Sequence, residues 1–317
     1  MGQQLCALTF TANGEYLMSS RDKVVRERRI MDGKQVTRMK TDHDILSLAV
    51  SKNGKWIATG TKKEMLVWNA ETYEEVLKHE EGNHVRSIDF SPDSTQLVAG
   101  TDNCTAIVWD LATGKQVQIL HHQNYVIATK YSPRGDRIAT ATYNDGPVRV
   151  WDSNDGRLLI DIDVKVTPLL NTGLLWCNDH LFIVSDEKIK EFDASTGSKV
   201  SEWPVPGTDS YSCIALPKHK RFIAFSAKHT TTFWEISTHN QLPLILQHPG
   251  DIRSIAFSPD DWILAIGDKY RGITIQSLSV INVSATFCRA ISSLNSFLVP
   301  SICTGLCPSV SPTPYFS

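Results

Sequence analysis

The sequence predicts an all-β protein in which seven similar modules close into a ring. Two observations support this fold class: one short motif recurs seven times along the 317 residues, and a second, independent motif keeps the same period. A single four-stranded sheet cannot bury both of its faces. Copies stacked around an axis bury these faces against one another, and seven copies close a ring.

The first motif ends a strand-like segment and leads into a turn. Val85–Asp93 reads Val-Arg-Ser-Ile-Asp-Phe-Ser-Pro-Asp, and Ile252–Asp260 reads Ile-Arg-Ser-Ile-Ala-Phe-Ser-Pro-Asp. The residue before the turn serves as the anchor, and the seven anchors are Phe10, Val50, Phe90, Tyr131, Leu175, Leu216 and Phe257. Successive anchors lie 40 to 44 residues apart.

The second motif closes short β-branched runs, most often with an aromatic residue before an acidic one. Its positions are Arg28, Trp68, Trp109, Trp151, Phe192, Trp234 and Gln276, spaced by 40 to 42 residues. Each repeat then predicts four strands, which in the third copy are Val85–Phe90, Gln96–Gly100, Thr105–Trp109 and Gln116–Leu120. No repeat carries an apolar pattern of helical period and length.

The Phe-Ser-Pro-Asp turns and the terminal Trp-Asp pairs resemble those of the WD-repeat β-propeller family. The resemblance covers about residues 5–280 and is strongest in the third, fourth and seventh copies. It implies a seven-bladed β-propeller of four-stranded antiparallel blades. The sequence leaves open whether the last blade is complete or incomplete. It also implies a protein that is usually not an enzyme and that presents its faces to other proteins.

The period divides the chain into one propeller, residues 1–287, and a tail, residues 288–317. The repeat units are about residues 1–40, 41–80, 81–121, 122–163, 164–206, 207–247 and 248–287. Ser, Pro and low charge predict that the tail is disordered. We expect the last blade to take its fourth strand from Leu278–Phe287, and the ring to close by packing of the first blade on the last. A membrane anchor within residues 291–307 is disfavoured, because polar residues and a proline interrupt the apolar run.

Composition excludes several function classes. Lys plus Arg is 32 and Asp plus Glu is 34, which gives a net charge of −2, and 41% of the residues are hydrophobic. These values exclude a mostly disordered chain or a collagen and argue against a dedicated DNA-binding protein. The seven cysteines are odd in number and do not suggest a secreted disulfide framework, so the cytosol or the nucleus is the expected compartment.

A polar network is expected inside the fourth blade. In the WD-repeat family, a histidine, a strand hydroxyl, a turn aspartate and the tryptophan indole form a hydrogen-bonded chain. The resemblance assigns these roles to His122, Thr142, Asp145 and Trp151. We interpret the set as structural, and the alternative is a catalytic dyad of His122 with Asp145. The seventh copy has His248 but Tyr270 and Gln276 in the aspartate and tryptophan positions.

Partner-binding residues are predicted where the first strand of each blade begins. In each repeat, the residues four and six positions before the anchor of the first motif lie on one side of that strand. Together with the residue before the aspartate position of the turn that precedes the third strand, they form a circle at the channel mouth. The circle is predicted to contain Asp44, Leu46, His84, Arg86, Asp102, Tyr125, Asn144, Asn171, Ser212, Asp251, Arg253 and Lys269. Arg86 and Arg253 occupy equivalent positions and could clamp a carboxylate of a partner. The alternative is that both arginines pair with neighbouring aspartates of their own chain.

These observations predict a non-enzymatic scaffold or adaptor whose partners are other proteins or peptides. No nucleotide-binding or nucleophile motif stands in the sequence, and no zinc-ligand set is complete, so no cofactor, metal or catalytic residue is predicted. Two alternatives stay open: a propeller hydrolase with a site at the channel mouth, and a regulatory sensor module of a larger signalling protein.

Overall fold

The computed structural model describes residues 5–143, 146–164, 173–207, 212–269 and 272–278. These residues form 27 β-strands arranged as seven antiparallel sheets, six of four strands and a last one of three. The predicted all-β ring of seven modules is therefore confirmed. None of the described residues lies in a helix, so this part of the chain has no helix that could cross a membrane.

The strands follow one another in chain order within each blade, and we call them A to D. The first three blades comprise β1 (Leu5–Phe10), β2 (Tyr16–Arg21), β3 (Val24–Arg29), β4 (Gln35–Lys40), β5 (Ile45–Val50), β6 (Trp56–Thr61), β7 (Glu64–Asn69), β8 (Glu75–Glu80), β9 (Val85–Phe90), β10 (Gln96–Thr101), β11 (Thr105–Asp110) and β12 (Lys115–His121). The four strands predicted for the third copy agree with the structure to within one residue at each end.

The remaining blades repeat the same order. They comprise β13 (Val126–Tyr131), β14 (Arg137–Thr142), β15 (Val148–Asp152), β16 (Leu158–Ile162), β17 (Leu174–Cys177), β18 (His180–Ser185), β19 (Lys188–Asp193), β20 (Lys199–Pro204), β21 (Ser212–Ala215), β22 (Phe222–Ala227), β23 (Thr230–Glu235), β24 (Gln241–Gln247), β25 (Ile252–Phe257), β26 (Ile263–Asp268) and β27 (Ile273–Ser277). We expect the fourth strand within Leu278–Phe287, and of this segment the described residues include only Leu278. The predicted tail at 288–317 also lies outside the described residues.

Antiparallel pairing assigns every turn to one of two faces of the ring. The A–B and C–D turns lie at one end of each blade, which we call the lower face. The B–C turns and the entries into strand A lie at the other end, the upper face. Asx-type hydrogen bonds close the lower turns. In the third blade, the Asp93 carboxylate accepts from the Ser91 hydroxyl at 2.6 Å and from the Thr95 amide at 3.1 Å.

The hydrophobic core is divided among the interfaces between neighbouring blades. The described residues form seven apolar clusters, one for each pair of neighbours, including the pair of the seventh and first blades. The aromatic residue at the end of strand C packs against the preceding blade. Trp68 lies in the cluster between the first and second blades, and Trp109 lies in the next one. This arrangement explains why an aromatic residue recurs with the repeat period.

The ring closes through the same contact that joins blades in its interior. The Leu8 amide in the first blade donates to the Ser254 hydroxyl of the seventh at 3.0 Å. The Thr129 amide in the fourth blade donates in the same way to the Ser87 hydroxyl of the third at 3.0 Å. The first strand, β1, is paired with β2 in its own blade, so within the described residues the closure rests on packing and this bond, with no shared sheet.

The basic run at Arg26–Arg29 does not interrupt the first blade. In the repeat pattern, this charged run stands where the other copies have an apolar third strand. In the structure it belongs to β3, which pairs with β2 on one side and β4 on the other. Glu27 within this run is buried.

The two equivalent serines provide a test of ring closure. We expect Ser254→Ala and Ser87→Ala to lower the free energy of unfolding by a similar amount, about 1–3 kcal/mol, because each leaves a buried amide without an acceptor. Urea unfolding of both variants measures the two losses. A loss for Ser87→Ala with none for Ser254→Ala would show that the seventh and first blades do not form this contact.

Candidate protein-binding face at the channel mouth

A backbone hydrogen bond that recurs in four blades builds the upper face. In each of these blades, an amide of the B–C turn donates to the carbonyl oxygen of the residue just before strand A, at 2.8 to 3.0 Å. The donor and acceptor pairs are Lys62 with Asp44, Asp102 with His84, Tyr143 with Tyr125, and Lys269 with Asp251. Six of these eight residues belong to the predicted circle, whereas Lys62 and Tyr143 do not. The bond brings the two members of each pair together at the upper end of their blade.

The third blade gathers three of the predicted residues into one cluster. Arg86 donates through Nε and Nη2 to the two carboxylate oxygens of Asp102, and the Nη2–Oδ2 distance is 2.8 Å. The Nδ1 atom of His84 lies 2.9 Å from Asp102 Oδ2. Asp102 is buried and Arg86 is half-buried, so this ion pair is held within the blade. For Arg86, the structure has the internal pairing that stood as the alternative to an open clamp.

The second and fourth blades present more exposed side chains. Lys62 Nζ lies 2.7 Å from Asp44 Oδ2, and 49% and 40% of the two side chains are exposed. Leu46 is half-buried beside them. In the fourth blade, the rings of Tyr125 and Tyr143 stack with their centroids 6.5 Å apart, although 43% and 37% of these residues remain exposed.

The sixth and seventh blades contribute less exposed surface than the sequence suggests. Ser212 and Arg253 are buried, with 1% and 6% of each residue exposed, where strands β21 and β25 pack side by side. Arg253 therefore does not offer an open guanidinium. Asp251 lies 3.4 Å from His229 Nε2, and Lys269 is half-buried. Asn144 and Asn171 lie outside the described residues.

Comparison with known proteins agrees with this geometry. The family model described as "WD domain, G-beta repeat" matches residues 33–69, 72–110 and 114–152. Each matched segment begins in or just before strand D of one blade and ends at the Trp-Asn or Trp-Asp pair of the next. The chain is a seven-bladed β-propeller in which three segments match WD repeats.

Several WD-repeat relatives align with this propeller at low identity. The serine-threonine kinase receptor-associated protein of Dictyostelium discoideum is 24% identical over 63% of this chain and 68% of its own length. The methylosome protein WDR77 of Xenopus laevis is 24% identical over 58% of this chain and 57% of its own length. Periodic tryptophan protein 2 of Arabidopsis thaliana is 29% identical over 68% of this chain, which spans only 25% of that protein.

The WD-repeat network predicted in the fourth blade is partly visible. The Trp151 indole donates to the Thr140 hydroxyl at 2.8 Å, whereas the sequence assigned this role to Thr142. The ring of His122 meets the Trp151 ring edge-on, with the centroids 5.2 Å apart. Asp145 lies outside the described residues. Burial, with a smaller contribution from nearby Arg149, lowers the pKa of His122 to about 4.

The seventh blade of the propeller contains a polar network that sequence reasoning missed. His248 Nε2 lies 2.8 Å from the Thr274 hydroxyl, and His248 Nδ1 lies 3.7 Å from Asp268 Oδ2. The Gly272 amide donates to Asp268 Oδ1 at 2.7 Å. Asp268 ends strand B at a position that Thr101 and its equivalents occupy in other blades. In four of the other six blades this position holds a hydroxyl, at Thr61, Thr101, Thr142 and Ser185, so the carboxylate was the signal that could have revealed the network.

The described residues contain no group of three or more His, Cys, Asp or Glu side chains that could hold a metal ion. The described cysteines Cys104, Cys177 and Cys213 are unpaired thiols. Burial raises the pKa of Cys213 to about 12, so this thiol has little thiolate character at neutral pH.

Acidification tests the burial of His122. In the unfolded chain a histidine takes up a proton below about pH 6.5, whereas folded His122 stays neutral down to about pH 4. Lowering the pH between these values therefore favours the unfolded state, by up to about 3 kcal/mol. We expect thermal denaturation between pH 7 and 4 to show a smaller loss of stability in His122→Leu than in the wild type. The adjacent, exposed His121 is the control, and His121→Gln should retain the wild-type pH dependence.

A double-mutant cycle tests the ion pair of the third blade. Because Asp102 is buried and Arg86 binds both of its oxygens, we expect Arg86→Ala and Asp102→Ala to show a coupling energy of about 1–3 kcal/mol in chemical denaturation. The exposed pair of Lys62 with Asp44 is the matched control and should couple by less than about 1 kcal/mol. Equal coupling in the two pairs would contradict the difference in burial.

Proposed function

We propose that this WD-repeat propeller is a non-enzymatic scaffold or adaptor that binds partner proteins or peptides at its upper face. The observation that carries the proposal is the exposed, stacked pair of Tyr125 and Tyr143 beside the Arg86 cluster of the neighbouring blade. Tyrosine and arginine are the side chains that most often anchor protein interfaces, because they combine large contact area with polar groups. The two tyrosine rings already stack on each other, with their centroids 6.5 Å apart, and both stay accessible to a partner.

The charges of the upper face also favour recognition over catalysis. Asp44 is paired with Lys62 and Asp102 is paired with Arg86. A carboxylate held by a cation is a weak general base, so these two aspartates do not support the hydrolase alternative. A mixture of paired charges and aromatic rings is instead suited to the rim and centre of a protein interface.

The relatives support the general role and leave the partner open. WD-repeat proteins typically bind other proteins. The names of two relatives refer to a serine-threonine kinase receptor and to the methylosome. These two relatives are only 24% identical to this chain, and the chain spans only 25% of periodic tryptophan protein 2. We therefore assign none of their partners to this protein. We propose the cytosol or the nucleus as the compartment, in keeping with the unpaired thiols of the described cysteines.

Comparative affinity capture tests the proposal. The double variant Tyr125→Ala/Tyr143→Ala and the wild type are expressed as baits, and bound proteins are quantified by mass spectrometry. We expect the captured amount of a defined set of proteins to fall by about tenfold or more with the double variant, because it removes the two exposed rings of the proposed binding surface.

The control removes an equally large side chain from the opposite face. Trp262 follows the lower turn of the seventh blade and is 53% exposed. Trp262→Ala should leave the same set of proteins bound. Loss of those proteins with Trp262→Ala, but not with the tyrosine variant, would move the binding surface to the lower face and refute the proposal.

A further inference from the structure

A cleft of about 270 Å³ opens between the first and second blades on the lower face, away from the proposed binding face. It lies between the A–B turns of the two blades and the C–D turn of the second. Its lining includes Asn13, Tyr16, Met18, Glu27, Val50 and Tyr73. The cleft is large enough for one long side chain of a partner.

A buried carboxylate without a cation lies in the wall of this cleft. Glu27 is only 3% exposed, and the Tyr73 hydroxyl donates to its Oε2 atom at 2.5 Å. No Lys, Arg or His of the described residues forms an ion pair with Glu27. Burial raises the pKa of this carboxyl group, and the Tyr73 hydrogen bond only partly offsets the effect. A buried carboxylate is costly unless a cation compensates it.

Comparison among the blades shows that Glu27 is not required by the fold. The same position, just before the end of strand C, holds Val67, Val108 and Val150 in the second, third and fourth blades. A valine there fills the interface between blades at no electrostatic cost. The first blade therefore carries a carboxylate that the repeat architecture does not need.

The partner of Glu27 departs from the repeat as well. Tyr73 stands at a C–D turn position that has a left-handed backbone, with φ of 58°. The equivalent residue is glycine in four blades, namely Gly33, Gly114, Gly156 and Gly197. A side chain at this backbone conformation is unfavourable, because the Cβ atom crowds the backbone. Tyr73 adopts this unfavourable backbone conformation, and its hydroxyl thereby reaches Glu27.

The remaining walls suit the stem of a long cationic side chain. Val50 provides apolar surface, the almost fully buried Met18 lies behind the wall, and Tyr16 and Tyr73 contribute aromatic rings. Aliphatic stems of lysine and arginine pack on such surfaces, and tyrosine rings attract their charged ends. Glu15, hydrogen-bonded to Asn13 of the lining at 3.0 Å, adds a second carboxylate near the opening.

The geometry points to a binding site for the side-chain cation of a lysine or arginine on a partner segment, seated between the first and second blades against Glu27. The site lies on the lower face, apart from the proposed upper-face surface, so an experiment can refute either proposal without refuting the other. Lysine and arginine share the required chemistry, a positive charge at the end of an aliphatic stem.

The fifth blade supplies a matched control. Glu191 occupies the position equivalent to Glu27, and His239, with φ of 59°, occupies the position equivalent to Tyr73. Glu191 is already held, because His180 Nδ1 lies 2.7 Å from its Oε1 atom and the Ser201 hydroxyl donates to its Oε2 atom at 2.5 Å. This carboxylate has imidazoles of its own chain as partners and needs no external cation.

Methionine-methyl NMR tests the site in the full chain. The probes are acetylated and amidated Gly-Lys-Gly and Gly-Arg-Gly, with Gly-norleucine-Gly as the uncharged analogue, each titrated to about 10 mM because single side chains bind weakly. The sequence contains five methionines, of which Met18 lines the cleft and Met65 is fully buried in the cluster between the second and third blades. We expect a saturable shift of the Met18 methyl signal with a cationic probe and an unchanged Met65 signal.

The variants decide whether Glu27 is responsible. Glu27→Gln keeps the shape of the side chain and an acceptor for Tyr73 but removes the charge. It should lower the affinity for the cationic probe by about tenfold or more. Glu191→Gln should leave the Met18 titration unchanged. A response to the lysine probe alone assigns an ammonium site, and a response to the arginine probe alone assigns a guanidinium site.

Three results would overturn the inference: no Met18 shift with either cation, an equal shift with norleucine, or an unchanged affinity in Glu27→Gln. If Glu27→Gln fails to fold, as judged by the Met65 signal, the comparison of lysine and arginine with norleucine on the wild-type protein still decides. Loss of upper-face partners in the capture experiment has no bearing on these outcomes.

Discussion

The burial of each sheet face against the neighbouring blade is the constraint on which the structure depends. A four-stranded sheet has two faces and no core of its own, so every blade is stabilised by the blades beside it. The aromatic residue at the end of strand C is the recurrent means of filling these interfaces. Where that residue is polar, as at Arg28 in the first blade and Gln276 in the last, the interfaces of those blades lose an aromatic side chain.

Among the described residues, the buried apolar cluster at the junction of the seventh and first blades is the smallest of the seven. It comprises Leu8, Phe10, Leu17 and Ala265, with no tryptophan among its members. The guanidinium of Arg28, in the tryptophan position, instead donates to the Ser19 hydroxyl at 3.1 Å. The bond from the Leu8 amide to the Ser254 hydroxyl joins positions equivalent to those joined by the bond from the Thr129 amide to the Ser87 hydroxyl, so the closure repeats a contact made inside the ring.

The two faces of the propeller differ in how their polar groups are satisfied. On the lower face, aspartate side chains close the turns locally, as Asp93 does, and these carboxylates are engaged by their own turn. On the upper face, side chains of different segments meet, as Asp102 does with Arg86 and His84. Glu27 is the exception on the lower side of the first blade, because its only described partner is a neutral tyrosine of the next blade.

The sequence by itself determined the period, the number of blades and the strand limits, because regular spacing and strand alternation are local properties of the chain. The tertiary structure alone decided which polar residues are buried. Arg253 and Ser212 are covered by neighbouring strands, Trp151 donates to Thr140 instead of Thr142, and Asp268 joins His248 in a network with no recognisable motif. Glu27 is buried against Tyr73, a residue 46 positions away in the next blade. These outcomes depend on how adjacent blades pack and on the direction of each turn, and neither is encoded in the spacing of a repeat.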